Sequence, residues 1–209
     1  MAAESLTLST ADGIDLEAEL HVPDTAAMAV LACHPHPLRG GSMHDGVPDL
    51  LFRALPRLGM AVLRFNFRGV GRSRGVHDNG KGEQLDVASA IDRLAQAAPS
   101  VPLIVAGWSF GADVSLAVAA PAIAGWAPIA PPLRVLPAAA FQAVAGDPRP
   151  KLLLCPELDQ FNPADQARAA VAEWVNTEVL SVPGADHFLW GHDQFLIDAL
   201  VGFAARFAA

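Results

Sequence analysis

The sequence predicts an α/β fold, a mostly parallel, doubly wound sheet preceded by an antiparallel hairpin. Three observations carry that expectation. Residues 6–9 and 14–20 alternate apolar with polar around the turn Asp12-Gly13, the period of a half-exposed hairpin. Short, nearly continuous apolar runs then recur at 29–33, 61–65, 102–106, 125–129 and 151–155, as strands buried on both faces require. Helical-period segments lie between them. Residues 45–58 place Leu50, Leu51, Ala54, Leu55 and Leu58 on one face, and 83–97 do so with Leu85, Val87, Ala88, Ile91 and Leu94. Residues 112–119 form a short helical run, 163–175 open with a proline in the first turn, and 194–207 close the chain as an amphipathic helix. A hairpin followed by strand–helix units with right-handed crossovers gives this architecture.

Composition bounds the rest. The 209 residues are 52% hydrophobic, enough to fill one core, and we expect a single domain over 1–209. The net charge of -8 argues against nucleic acid or an anionic membrane as partner, since a phosphate footprint needs clustered Lys and Arg. Cys33 and Cys155 each end an apolar run, without C-x-x-C or zinc spacing, and are expected as free buried thiols in the cytoplasm. Met1-Ala2-Ala3-Glu4 has neither the basic nor the apolar region of a signal peptide. Residues 114–133 carry no charge, but Pro121, Gly125, Pro128, Pro131 and Pro132 break them, so they read as a buried helix, a buried strand and a turn, and not as a membrane span.

Gly107-Trp108-Ser109-Phe110-Gly111 fits G-x-S-x-G between a predicted strand and a predicted helix. That turn lifts a serine hydroxyl to the carboxyl end of the sheet, and small residues flank it because the backbones come close. A serine needs a base to take its proton. His187, in Gly184-Ala185-Asp186-His187-Phe188 after the strand-like residues 179–182, sits where the base belongs; His192 is a rival at the start of the last helix. The base needs an acid to fix its tautomer. Asp159 follows the strand at 151–155, with Glu157 and Asp186 as alternatives. The order Ser109, Asp159, His187 is that of a nucleophile-elbow hydrolase.

The oxyanion hole needs two backbone N–H donors. Phe110 follows the nucleophile, and the loop His34-Pro35-His36-Pro37-Leu38-Arg39-Gly40-Gly41 offers the second. Pro35 and Pro37 have no N–H, which leaves His36 and then Leu38, and His36 is the choice. His34 and His36, with His44-Asp45, also form a rival metal site; that reading leaves the elbow unexplained, so no metal is expected and His34 is read as structural. Residues 65–73 hold glycines without a dinucleotide-binding pattern. There Arg68 either fixes the loop or faces an acidic group of the substrate.

These residues resemble the α/β-hydrolase superfamily. More narrowly, the chain is similar to small bacterial lidless esterases whose first strand ends in the pattern seen here as His34-Pro35-His36-Pro37 followed by Gly40-Gly41. The match runs on through Arg64-Phe65-Asn66-Phe67-Arg68-Gly69-Val70-Gly71-Arg72-Ser73, the Ser109 elbow, Asp159 and Ala185-Asp186-His187-Phe188. The resemblance implies an esterase without cofactor and without a large lid. Dienelactone hydrolases are related but use a cysteine where this chain has Ser109, and Glu157 stands where many relatives carry glycine.

The expected reaction is cleavage of a small, short-chain carboxylic ester through an acyl-enzyme on Ser109, with Arg68 and Leu38 as candidate substrate contacts. The same triad would serve an acyltransferase or a thioesterase. A non-catalytic binding module on this fold is the reading from a different class.

Overall fold

The computed structural model describes residues 3–207. Met1 and Ala2, part of the opening read for a targeting signal, lie outside the described residues, as do the last two positions of the chain. The hairpin is β1 (Glu4–Ser9) and β2 (Asp15–His21). Six strands follow: β3 (Met28–Cys33), β4 (Met60–Phe65), β5 (Leu103–Gly107), β6 (Ile123–Trp126), β7 (Lys151–Pro156) and β8 (Thr177–Val182). They form one sheet in the order β1-β2-β4-β3-β5-β6-β7-β8. The pairs β1–β2 and β2–β4 are antiparallel, and from β4 to β8 every pair is parallel, as expected.

The helices are α1 (Gly46–Ala54), α2 (Lys81–Ala97), α3 (Phe110–Leu116), α4 (Gln142–Ala145), α5 (Ala164–Ala170) and α6 (Asp193–Ala204). Successive strand residues face opposite layers. Leu31, Leu63 and Val105 share a core with Val87, Ile91 and Leu94 of α2 and Val114 of α3. Val30, Val62 and Ile104 instead face Leu51 of α1 and Leu196, Leu200 and Phe203 of α6. Both faces are covered, which is why these strands read as unbroken apolar runs.

Several boundaries differ from expectation for local reasons. The helix expected over 45–58 ends at Ala54 and continues as a 3₁₀ turn, Leu55–Leu58, because Pro56 has no N–H to continue it. The strand expected at 125–129 is Ile123–Trp126. Pro128 interrupts its ladder, and Ile129 returns only as isolated bridges to Trp108 and Leu154. Helix α5 stops at Ala170, where the N–H groups of Ala172 and Trp174 reach only three residues back, to Ala169 and Val171, before Val175 N–H turns to the Ala145 carbonyl at 2.8 Å. Pro163 is the N-cap of that helix and not its first turn. Helix α3 starts at Phe110, two residues early, directly on the elbow.

The charge-free stretch 114–133 holds the end of α3, then β6 and turns. No helix among the described residues is long and apolar enough to cross a membrane. Between β6 and β7 lie only a 3₁₀ turn, Ala138–Phe141, and the single turn of α4, so no helical lid grows from this connection.

The chain adds β4 on one side of β3 and β5 on the other, so the strand order reverses at β3. Crevices outside strand carboxyl ends form at such points. Cys33 pairs with Gly107, the last residues of β3 and β5. This register sets the His34–His36 loop beside Ser109 and Phe110.

Candidate active site

The elbow is held by close backbone approach. A Cβ on Gly107 would overlap the Gly111 carbonyl, and one on Gly111 would lie 2.5 Å from the His34 carbonyl oxygen. Only glycine fits at both positions. Ser109 itself takes φ 55°, ψ -116°, a left-handed conformation that costs a side-chain-bearing residue about 1–3 kcal/mol. Its N–H donates to Ile129 O at 2.9 Å, and its carbonyl accepts from Ala112 N–H at 2.9 Å.

The structure brings the three expected residues together. Ser109 Oγ lies 2.8 Å from His187 Nε2, and His187 Nδ1 lies 2.8 Å from Asp159 Oδ2. Both partner side chains are buried, Asp159 completely. With Asp159 ionised, His187 carries its proton on Nδ1 and offers Nε2 to the serine hydroxyl. The other carboxylate oxygen, Oδ1, accepts the N–H of Phe161 at 2.7 Å and that of Asn162 at 3.4 Å, so the acid is fixed by its own loop. Trp108 Nε1 donates to the His187 carbonyl at 3.2 Å and ties the histidine loop to the elbow.

The rival residues have other partners. Glu157 Oε2 accepts Gly184 N–H at 2.7 Å and so braces the histidine loop. Asp186 Oδ1 accepts Phe188 N–H, and His192 lies against the carbonyls of Trp190 and Pro183.

In the loop after β3, Leu38 N–H donates to His36 Nδ1 at 3.2 Å, and Arg39 and Gly41 donate to the His36 carbonyl at 3.0 and 3.1 Å. The Leu38 donor is thus engaged, which leaves His36 as the stronger of the two candidates. Phe110 is the first residue of α3, so its N–H has no intrahelical acceptor. The His36 and Phe110 rings touch, with centroids 5.0 Å apart. Burial and the nearby His77 and Arg39 charges lower the pKa of His36 and favour the neutral ring, which its acceptor role requires. The Leu38 side chain is 70% exposed on this loop.

His34 is fully buried. Its Nε2 accepts Phe67 N–H at 2.9 Å, so the proton sits on Nδ1, which donates to Pro35 O at 2.6 Å. Both nitrogens are occupied, and burial lowers its pKa to about 4. Among the described residues no group of three or more His, Cys, Asp or Glu side chains could hold a metal ion. Both cysteines are free and buried, and burial pushes the thiols up, Cys155 to about 12.

Arg68 corrects one alternative. It is buried and faces no substrate: Nε and Nη2 donate to Asp86, and Nη1 to Asp12 at 2.9 Å. It fastens the loop after β4 to α2 and to the hairpin turn.

Two features escaped the sequence reading. His77 packs on both His36 and Phe110, with centroids 5.2 and 5.4 Å away, and its Nδ1 lies 2.7 Å from Glu83 Oε1. Glu83 is fully buried and also accepts the N–H groups of Asp78 and Gly80 at 2.9 Å. Its place three residues after Gly80, at the head of α2, was the available signal. Asp113, a lone charge in the buried elbow helix, accepts the N–H groups of Leu133, Arg134 and Val135, each at 2.9 Å. Burial raises its pKa to about 6 against the pull of those bonds.

Known proteins share this arrangement of the chain. The sequence profile of the family described as serine aminopeptidase, S33 matches residues 26–191. An uncharacterized protein of Rickettsia prowazekii is 35% identical over 171 residues, spanning 78% of this chain and 72% of its own. An α/β serine hydrolase homologue from Coxiella burnetii is 32% identical, covers 97% of both chains and superposes with a TM-score of 0.85. A serine hydrolase without a lid from Xanthomonas campestris is 30% identical over 96% of this chain and 95% of its own, with a TM-score of 0.80.

Proposed function

Because the chain belongs to the serine aminopeptidase S33 family of α/β hydrolases, we propose that it cleaves small carboxylic esters through an acyl-enzyme on Ser109. The observation that carries this reading is the continuous hydrogen-bonded line from Ser109 Oγ through His187 to buried Asp159, on a left-handed elbow at the sheet's switch point. Ser109 attacks the ester carbonyl while His187 Nε2 takes its proton, and Asp159 stabilises the imidazolium. The N–H groups of Phe110 and His36 receive the oxyanion, a contribution of about 10²–10³ in rate per donor in comparable sites. His187 then returns its proton to the leaving alcohol and activates the water that releases the acid.

The mouth supports a small ester over a peptide N-terminus. An amine would call for a carboxylate with a free oxygen beside the imidazole; Asp159 has both oxygens engaged, and the ring of half-exposed Phe161 lies 4.5 Å from His187 and that of Phe188 5.9 Å. Leu38, on the oxyanion loop, belongs to the same apolar rim in this reading. The free buried cysteines suit the cytoplasm.

The test is labelling by a fluorophosphonate with turnover of p-nitrophenyl acetate and butyrate, in the wild type and Ser109→Ala. Labelling and turnover that both vanish in the variant support the proposal. A folded wild type that neither labels nor turns over overturns it, and release of product mainly to an added alcohol or amine acceptor would assign an acyltransferase instead.

A further inference from the structure

The loop after β6 carries an arginine that the triad does not use. The Arg134 guanidinium lies over the Phe161 ring at 5.5 Å from its centroid, and the same ring stands edge-on to His187 at 4.5 Å. Most arginines of this acidic chain meet a carboxylate, Arg64 with Glu19 and Asp49 and Arg149 with Asp147 among them. Arg134 does not. Its head group makes no hydrogen bond or ion pair among the described residues, and the side chain is exposed.

Its backbone, by contrast, is held firmly. Fully buried Asp113, four residues past the nucleophile on α3, accepts the N–H groups of Leu133, Arg134 and Val135. Leu133 adopts φ 55°, and Asn162, next to the Asp159 loop, donates to Pro131 O at 2.8 Å. The nucleophile's helix and the acid's loop therefore both fix the segment bearing Arg134. An aromatic face beneath a guanidinium limits where it can go while leaving its N–H fork open. The guanidinium thus stands one aromatic ring away from His187, on a fixed backbone and with its fork open to solvent.

We propose that Arg134, seated on Phe161, recognises an anionic group on the substrate, so that this site takes esters bearing a carboxylate. The proposal rests on the ester-hydrolase reading for its reaction but on the Arg134 geometry for its binding. A guanidinium–carboxylate hydrogen bond is among the stronger ones available at a partly exposed site, and a preference of about tenfold corresponds to ~1.4 kcal/mol.

Two substrate pairs test it, each differing mainly by a carboxylate: mono-p-nitrophenyl glutarate against p-nitrophenyl butyrate, and 4-acetoxybenzoate against phenyl acetate. The first puts the charge on the acyl side, the second on the alcohol side. In at least one pair the charged-to-neutral ratio of kcat/KM should fall about tenfold in Arg134→Gln and recover in part in Arg134→Lys. In the wild type, added salt should erode the same ratio.

Binding is measured separately, by calorimetry of the two charged esters on Ser109→Ala and on Ser109→Ala/Arg134→Gln. An affinity about tenfold weaker in the double variant supports the receptor even where the wild type fails to hydrolyse, a failure that would count against the ester-hydrolase reading alone. Equal affinities with unchanged ratios overturn it, as does a collapse of the ratio in Arg39→Gln but not in Arg134→Gln.

Discussion

Replacing His34 with phenylalanine tests whether a buried neutral imidazole holds the oxyanion loop. In the native protein, His34 Nε2 must accept, because its partner is a backbone N–H, that of Phe67. Phenylalanine keeps a ring at the place where His34 meets the Phe67 side chain, 4.7 Å away, but offers no acceptor. The orphaned N–H should cost about 1–3 kcal/mol at pH 7.5. Acidification then separates the two proteins. Protonating His34 would set a second donor against Phe67 N–H and bury a charge, which is why its pKa falls from 6.5 to about 4. A histidine lowered on folding adds stability in full above the unfolded value and loses it as pH falls from 6.5 toward 4. At 1.36 kcal/mol per unit that loss is about 3 kcal/mol. Asp113 titrates in the same window with the opposite sign, since its raised pKa favours the folded state on protonation, but it is present in both proteins and cancels in the difference. Urea unfolding followed by tryptophan fluorescence should therefore show the wild type ahead by about 2 kcal/mol at pH 7.5, with the lead gone or reversed at pH 4. Parallel stability curves across this range would refute the argument.

Asp159→Asn should lower kcat/KM for p-nitrophenyl acetate by about 10⁴, while Glu157→Gln, which can still accept Gly184 N–H, stays within about threefold (a shift under ~0.7 kcal/mol); a large loss in Glu157→Gln with little loss in Asp159→Asn would move the acid to Glu157. His77→Ala should lower kcat about tenfold with KM little changed, by loosening the ring contacts to His36 and Phe110. His77→Phe should restore most of it, and a variant rescued by glutamine but not by phenylalanine would shift the role to the Glu83 contact. Gly111→Ala should cost about 3 kcal/mol in chemical denaturation, the upper end of what overpacking does, because its Cβ meets the His34 and Cys33 carbonyls at 2.5 and 2.7 Å; a soluble variant of native stability would contradict the close approach.

The placement of Ser109, Asp159 and His187 was legible because these residues are local signals. The elbow, the proline-marked loop after β3 and the late histidine each follow a strand end that apolar runs reveal. Proline placement excluded donors in 34–37 without any three-dimensional information. What stayed hidden depends on distant pairs. Arg68 is 56 residues from Asp12 and 18 from Asp86, and its two sequence readings could be separated only by seeing where the guanidinium points. His77 gave no pattern as a base, because its neighbours His36 and Phe110 come from the loop after β3 and the head of α3. The segment after the shortened α5 is likewise tied to a distant turn, through Val175 N–H to Ala145.

A shared device underlies the carboxyl edge of the sheet. Loops there have no ladder partners, so their N–H groups need other acceptors, and buried acids supply them. Glu83 takes Asp78 and Gly80, Asp86 takes Arg68, Asp113 takes Leu133 to Val135, and Asp159 takes Phe161 and Asn162. An ionised carboxylate can accept about four such bonds, and what distinguishes each acid is where its remaining capacity goes. For Asp86 it goes to Arg68, and for Glu83 to His77. Asp159 alone turns an oxygen to a histidine that reaches a serine. In the proposed mechanism the acid is thus a loop-bracing carboxylate with one oxygen left for His187, and the rigidity that fixes the imidazole's tautomer comes from the backbone bonds on the other.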